Sequence, residues 1–398
     1  MQLNLKFLAI LLLATSTFCA QEVISPKFGK GILNLTGKDS TWTMKMGLRF
    51  QTLGIGVWED GASPETNFLI RRSRLKLDGW ILSPKLKYKF ELGLANRDIA
   101  GGSEYTRNTS RHIMDAVLKW NFYENFVLWV GQTKLPGNRE RVISSADLQM
   151  VDRSILNSEF NIDRDIGIQL RHTTKLYKNF IMNEIFSLSQ GEGRNVTSGN
   201  LGGFQYTGRV ELLPFGKFNG KGDYKGAGLT REKKPKLSVA ASYDFNNNAV
   251  RTRSNLGNYM KIDDGAGLFE TNITTIFADA MFKYKGYSLM AEYAKRDSDN
   301  PIALNSDGTP TGDVVNVGSA YNIMTGYLFP SNWELTGRYT NSELNINITG
   351  KNPKKQYSLG LSKYIVGHKL KVQTDISYLD IQEKNNQLMY RLQVDVHF

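Results

Sequence analysis

The chain has 398 residues, with 50 Lys and Arg against 38 Asp and Glu, a formal net charge of +12 and a single cysteine, Cys19. One cysteine excludes a disulfide framework and a multi-thiolate metal centre, and the basic balance points to anionic partners without choosing among nucleic acid, lipid head groups and small anions. With 37 Gly, 18 Tyr and 20 Phe but only 10 Pro, and no linker-like change of composition, the chain reads as one β-rich unit rather than a row of soluble domains.

Residues 1–20, MQLNLKFLAILLLATSTFCA, carry one cation at Lys6, an apolar run from Phe7 to Leu13, and then small and polar residues. This is the layout of a secretory signal peptide, with cleavage after Ala20. A lipoprotein site at Cys19 is disfavoured by the bulky Phe18 before it. Removal of the segment leaves no thiol, and no later apolar run approaches the ~20 residues of a membrane-spanning helix. If the protein enters a membrane, it does so with strands. Residues 21–40 read as a periplasmic N-terminal segment and 41–398 as the unit that would form them.

Period-two alternation then recurs along the chain, and amphipathic helix almost nowhere. From Trp42 to Phe50 the even positions read Trp, Met, Met, Leu and Phe, with Thr43, Lys45, Gly47 and Arg49 between. Within FLIRRSRLKLDGW, Arg72, Arg74, Lys76 and Asp78 share one face of an extended strand, and Arg71, Ser73, Leu75, Leu77 and Gly79 share the other. From Leu388 to Phe398 the pattern is cleanest, with Leu, Tyr, Leu, Val, Val and Phe alternating with Met389, Arg391, Gln393, Asp395 and His397. The same count places sixteen strands, near 42–58, 68–81, 86–95, 113–122, 126–135, 164–172, 180–188, 204–212, 236–244, 275–284, 287–296, 320–329, 333–339, 356–364, 369–379 and 387–398. The first is expected to hold a bulge, because its apolar set moves to odd positions at Leu53, Ile55 and Val57.

Long connections alternate with short ones, except at Leu213 to Pro235, a long Lys- and Gly-rich stretch where a tight turn is due. A soluble sheet has no reason to gather its long loops at one end. An outer-membrane barrel does, with tight turns inside and longer loops outside. The expectation is therefore an all-β protein, a transmembrane antiparallel β-barrel of about sixteen strands in the bacterial outer membrane. Leu75 and Leu77 would meet lipid and Arg72, Arg74 and Lys76 the lumen, while Arg71, on the apolar face, would reach the head-group layer. Trp42, Trp58, Trp80, Trp120, Trp129 and Trp333 lie in or near predicted strand ends, as interfacial girdles require.

The stretches FLIRRSRLKLDGW, VGQTKLP (130–136), DRDIGIQL (163–170), PFG followed by GDYKGAGLTREKKPKLSVAASYDF (214–245) and GYLFPSNWELTGRY (326–339) together resemble the phosphate-selective porin O and P family of outer-membrane barrels. The resemblance implies a sixteen-stranded barrel, trimeric, passing small anions such as phosphate through a lumen lined by Arg and Lys. The family's basic RR-x-R stretch carries over to Arg71, Arg72 and Arg74. The strand ending in Phe398 resembles the closing strand by which the barrel-assembly machinery recognises its clients. After the GQ-x-K-x-P piece the chain has its own acids at Glu140, Asp147, Asp152 and Glu159, a departure that weakens the case for strict phosphate selectivity.

The residues expected to guide anions are Arg72, Arg74, Lys76, Lys87 and Lys89, on two neighbouring strands with only Asp78 and Glu91 against them. The third long loop, 136–163, is expected to fold inward and narrow the pore, bringing Arg139, Arg141 and Arg153, with Lys134 and Arg171 nearby. No cofactor or metal is expected: the four histidines have no metal-ligand spacing, and GILNLTGKDS fails as a phosphate loop because Asp39 stands where Ser or Thr is needed. The Lys cluster between Lys217 and Lys236 has too few aromatics for a nucleic-acid platform. The competing readings are a barrel enzyme, which would need a Ser or Asp beside His112 or His172, and a filled barrel whose loops capture a ligand at the surface.

Overall fold

All sixteen expected strands form in the computed structural model, which describes residues 27–198 and 200–398. In chain order they are β1 (Trp42–Glu59), β2 (Glu65–Ile81), β3 (Ser83–Gly93), β4 (Ile113–Tyr123), β5 (Phe126–Lys134), β6 (Arg164–Tyr177), β7 (Phe180–Ser189), β8 (Gln205–Leu213), β9 (Lys236–Ala249), β10 (Thr271–Tyr284), β11 (Tyr287–Ser298), β12 (Gly318–Leu328), β13 (Trp333–Leu344), β14 (Lys354–Tyr364), β15 (Leu370–Ile381) and β16 (Gln387–His397). Each is antiparallel to the next, and β16 pairs back onto β1 from His397 opposite Arg49 to Gln387 opposite Glu59. Closure leaves no run of unpaired backbone groups, which is the condition for a sheet in hydrocarbon. The signal peptide expected over residues 1–20 lies outside the described residues.

Burial is inverted relative to a soluble sheet. On β16 the exposed side chains are Leu388, Tyr390, Leu392 and Val394, while Arg391, Gln393 and Asp395 are buried; on β14 Tyr357, Leu359 and Leu361 are exposed while Gln356, Ser358 and Ser362 are buried. Apolar side chains outward and polar ones inward suit a wall between lipid and a polar lumen.

The seam departs from expectation. The pairing of β16 with β1 stops at His397 opposite Arg49, so Trp42–Leu48 have no partner in β16. Residues Leu33–Thr36 fill the gap, pairing Leu33 with Met46 through Thr36 with Thr43, and the Phe398 N–H donates to the Leu48 carbonyl at 2.9 Å. Part of the segment read as periplasmic is thus a strand of the wall.

The bulge also lies elsewhere. Pairing of β1 with β16 runs without a break, whereas between β1 and β2 Gln51 faces Arg72 and Thr52 faces Ile70, so the extra residue is Arg71. Two consecutive arginines are then buried together, and Arg71 pairs with Asp152 instead of reaching the head groups. Leu53 faces inward without any bulge in β1 and is buried. Of the tryptophans, Trp58, Trp120 and Trp333 are exposed as a girdle requires, but Trp129 faces the lumen.

The lumen is occupied by two segments. The connection between β5 and β6 enters from the long-loop side. Its Leu135, Leu156, Phe160 and Ile162 pack against Phe277, Ala294, Ala320 and Leu344 on the inner face of β10–β13, and its Ile143, Leu148 and Met150 pack with Met281, Met290 and Met324. Within it a short helix, Ile155–Phe160, starts where the Ser154 hydroxyl accepts from the Asn157 N–H, and its last carbonyls, Glu159 and Phe160, accept from Arg296 at 2.9 and 2.6 Å. The connection between β8 and β9, the exception in the alternation, enters from the turn side. Lys283 donates to the Lys225 carbonyl at 2.7 Å, and the Gly226 N–H meets the Asp147 carbonyl of the other segment at 2.7 Å.

On the loop side, between β7 and β8, Glu192 is buried; one carboxylate oxygen accepts from the Gly202 N–H at 3.3 Å and the other has no partner among the described residues. Burial pushes this carboxyl up to about 7, with backbone N–H groups and Arg251 offsetting only part of the cost. The folded loop thus holds a proton that the unfolded chain releases near the ordinary carboxylate range, so this contribution to stability is lost as pH rises from there through about 7. Limited proteolysis of the outer loops, with protease activity matched, is expected to be faster at about pH 8 than at about pH 5 in the wild type and to depend less on pH in Glu192→Gln. Equal dependence in both would dismiss the assignment.

Candidate functional site

The segment between β5 and β6 is stapled to most of the wall. Arg139, fully buried, donates from Nε to Asp279 at 2.9 Å and from Nη2 to Ser238 at 2.9 Å, and its Nη2 lies 3.3 Å from Glu211. The Glu140 N–H donates to Glu292 at 2.7 Å, and the Gln149 amide to Ser288 at 2.8 Å and Glu334 at 3.0 Å. Lys371 donates to the Leu148 carbonyl at 2.8 Å, and Arg49 holds Ser145 at 2.7 Å while gripping Asp395 with two further nitrogens at 2.9 and 2.7 Å. Finally Arg71 and Arg72 both meet Asp152. These anchors lie on β8–β11, β13, β15, β16, β1 and β2.

Space is left against the opposite wall. A cavity of about 840 Å³ lies between the segment and β2–β8, with part of the turn-side connection at its floor. Eleven Lys and Arg side chains line it against four acids, Glu91, Asp115, Glu211 and Asp223. Some of the cations are neutralised. Arg74 meets Glu91 at 3.0 Å and Asp98 at 2.9 Å, Lys89 meets Glu91 and Asp115 at 2.7 Å each, Arg164 meets Asp115 at 3.1 Å, and Arg209 meets Asp279 at 2.7 Å. Lys85, Lys87, Lys119, Lys134, Arg171, Lys217 and Lys221 have no carboxylate within 4 Å among the described residues.

The residues expected from the sequence are therefore divided. Arg74, Lys87, Lys89, Lys134 and Arg171 line the cavity. Arg72 does not: it is buried against Gln51 at 2.7 Å and against Asp152, where it holds the inward segment. Lys76 pairs with its neighbour Asp78 at 2.7 Å outside the cavity. Arg139 is a staple, Arg141 donates to Asp163 at 2.7 Å, and Arg153 donates to the Glu140 and Ile143 carbonyls at 2.8 Å each. Lys134 spends its ammonium on the carbonyls of Arg141 and Ile143, at 2.7 and 3.1 Å, at the end of the short helix Arg139–Val142.

Lys119, Trp129, Lys217 and Lys221 were not among the expected site residues. The break in loop alternation pointed to the segment carrying Lys217 and Lys221; nothing in the alternation distinguished Trp129 from a girdle residue. Lys119 Nζ and the Arg171 guanidinium each lie 3.8 Å from the centre of the Trp129 ring. Such contacts fix the position of a cation without cancelling its charge.

A closed sixteen-stranded sheet, apolar outside and polar within, with an inward loop beside a charged cavity, is the architecture of an outer-membrane porin. The chain belongs to the phosphate-selective porin O and P family, whose sequence model matches residues 50–397. It is 26% identical over 359 residues to an uncharacterized protein of Aquifex aeolicus (strain VF5), covering 84% of this chain and 81% of that one. Among solved structures it shares the fold of the outer-membrane channel DcaP of Acinetobacter baumannii, with a TM-score of 0.54, 14% identity, and 92% and 99% of the two chains covered. The anion-selective porin from Comamonas acidovorans has a TM-score of 0.53 at 13% identity, with 90% and 100% covered. The protein is a porin of the bacterial outer membrane.

Proposed function

We propose that this porin favours small anions over cations and that phosphate binds within its basic cavity. The observation that carries the reading is the set of cavity cations left without a carboxylate among the described residues, Lys87, Lys119 and Arg171 foremost. Uncompensated positive charge on a low-dielectric wall raises the local anion concentration, and charged N–H donors, the lysine ammonium groups and Nη1 of Arg171, suit phosphate oxygens. Arg72 and Lys76 drop out of the guiding set because their charge is already met; Arg74 and Lys89 remain as cavity-lining cations of reduced net effect.

The test is the zero-current potential across a KCl gradient in a planar bilayer, followed by addition of phosphate. Chloride preference and a phosphate-dependent fall in current are expected. Lys87→Glu combined with Lys119→Glu should move the potential toward that of potassium, with barrel folding unchanged by heat-dependent gel mobility. A wild-type channel without ion preference, or a double variant with the wild-type potential, would overturn the reading.

A further inference from the structure

The cavity has a wall that inorganic ions do not use. Val127, Trp129, Ile185 and Phe218 line it from β5, β7 and the turn-side connection. A hydrated chloride or phosphate gains nothing from apolar side chains, and leaving them against water is unfavourable. An organic body gains from them about 25 cal/mol for each Å² it removes from water.

The cations beside this wall are placed to hold a carboxylate. Arg171 lies over Trp129, and its Nε and Nη2 donate to Gln169 Oε1 at 3.3 and 2.8 Å, which orients the fork and leaves Nη1 without a protein acceptor among the described residues. Lys119 lies over the same ring with no protein acceptor for its ammonium among the described residues. A volume of about 840 Å³ admits a ring-sized molecule together with water.

Resting on the anion-channel reading above, we infer that this cavity is a binding site for small organic anions with an apolar body, aromatic monocarboxylates in particular. The carboxylate meets Arg171 and Lys119, and the ring lies along Val127, Ile185 and Trp129.

The probe is benzoate, compared with acetate, as a blocker of chloride current through the wild-type protein in a planar bilayer. Benzoate is expected to block at roughly tenfold lower concentration than acetate, the difference its ring contributes on burial. Trp129→Leu, which removes the aromatic surface, should bring the two blockers together. Lys119→Gln, which leaves the apolar wall intact, should weaken both blockers and keep their ratio. Equal block by benzoate and acetate in a chloride-selective wild type would overturn this inference alone, as would an unchanged ratio in Trp129→Leu or unchanged block in Lys119→Gln. A channel with no chloride preference would overturn both this inference and the reading it rests on.

Discussion

Arg139→Ala is expected to release the inward segment from the wall, raising single-channel conductance severalfold and weakening ion preference. The guanidinium is fully buried between Asp279, Glu211, Ser238 and the Asp223 carbonyl. Removing one partner of a buried ion pair costs about 3–5 kcal/mol, because the remaining carboxylates are left desolvated. Arg209, which bonds both Asp279 and Glu211, moderates the loss on the wall but cannot replace the tie to the segment. The barrel itself should persist, since its strands are hydrogen-bonded to one another and not through the loop. Conductance and thermal unfolding in detergent read the two effects separately; wild-type conductance with wild-type stability would rule out the staple.

Replacing residues 215–233 by a four-residue turn should have the second large effect, opening the lumen from the other end. The deletion removes Lys217 and Lys221 from the cavity and the Gly226 N–H that supports the Asp147 carbonyl. It also strands Lys283, which donates to the Lys225 carbonyl, and His368, whose Nε2 lies 3.1 Å from the Gly226 carbonyl. Water entering from the turn side can solvate both, so the barrel is expected to fold while conductance rises and chloride preference falls. The zero-current potential and step size decide it: a variant that conducts as the wild type does would mean that this segment plays no part in the constriction.

Strands were legible in the sequence because a barrel wall separates two solvents, and a period of two is the direct imprint of that contrast. The ends were less legible. β13 continues to Leu344, beyond the expected 339, through Asn341, Ser342 and Glu343, polar residues on both faces that break the alternation. β2 begins at Glu65 for the same reason. The inward loop also leaves its imprint on the strands: Phe277 and Met281 face inward on β10 while Ile276 faces outward, an apolar set on both faces that marks a wall with something packed inside it.

By itself, then, the sequence determined a closed all-β wall of about sixteen strands, the side of most of them that meets lipid, and a surplus of positive charge inside. It also marked the one turn-side connection that breaks the rule. Only the tertiary structure decided which of those charges remain available. Arg72 and Lys87 look alike along the chain, both cations on inward positions of adjacent strands. Arg72 meets Asp152, eighty residues away, because the inward segment crosses to that side of the lumen; Lys87 meets none among the described residues because the segment leaves it facing the cavity. Alternation is a local property of a strand, whereas neutralisation depends on where a distant loop comes to rest.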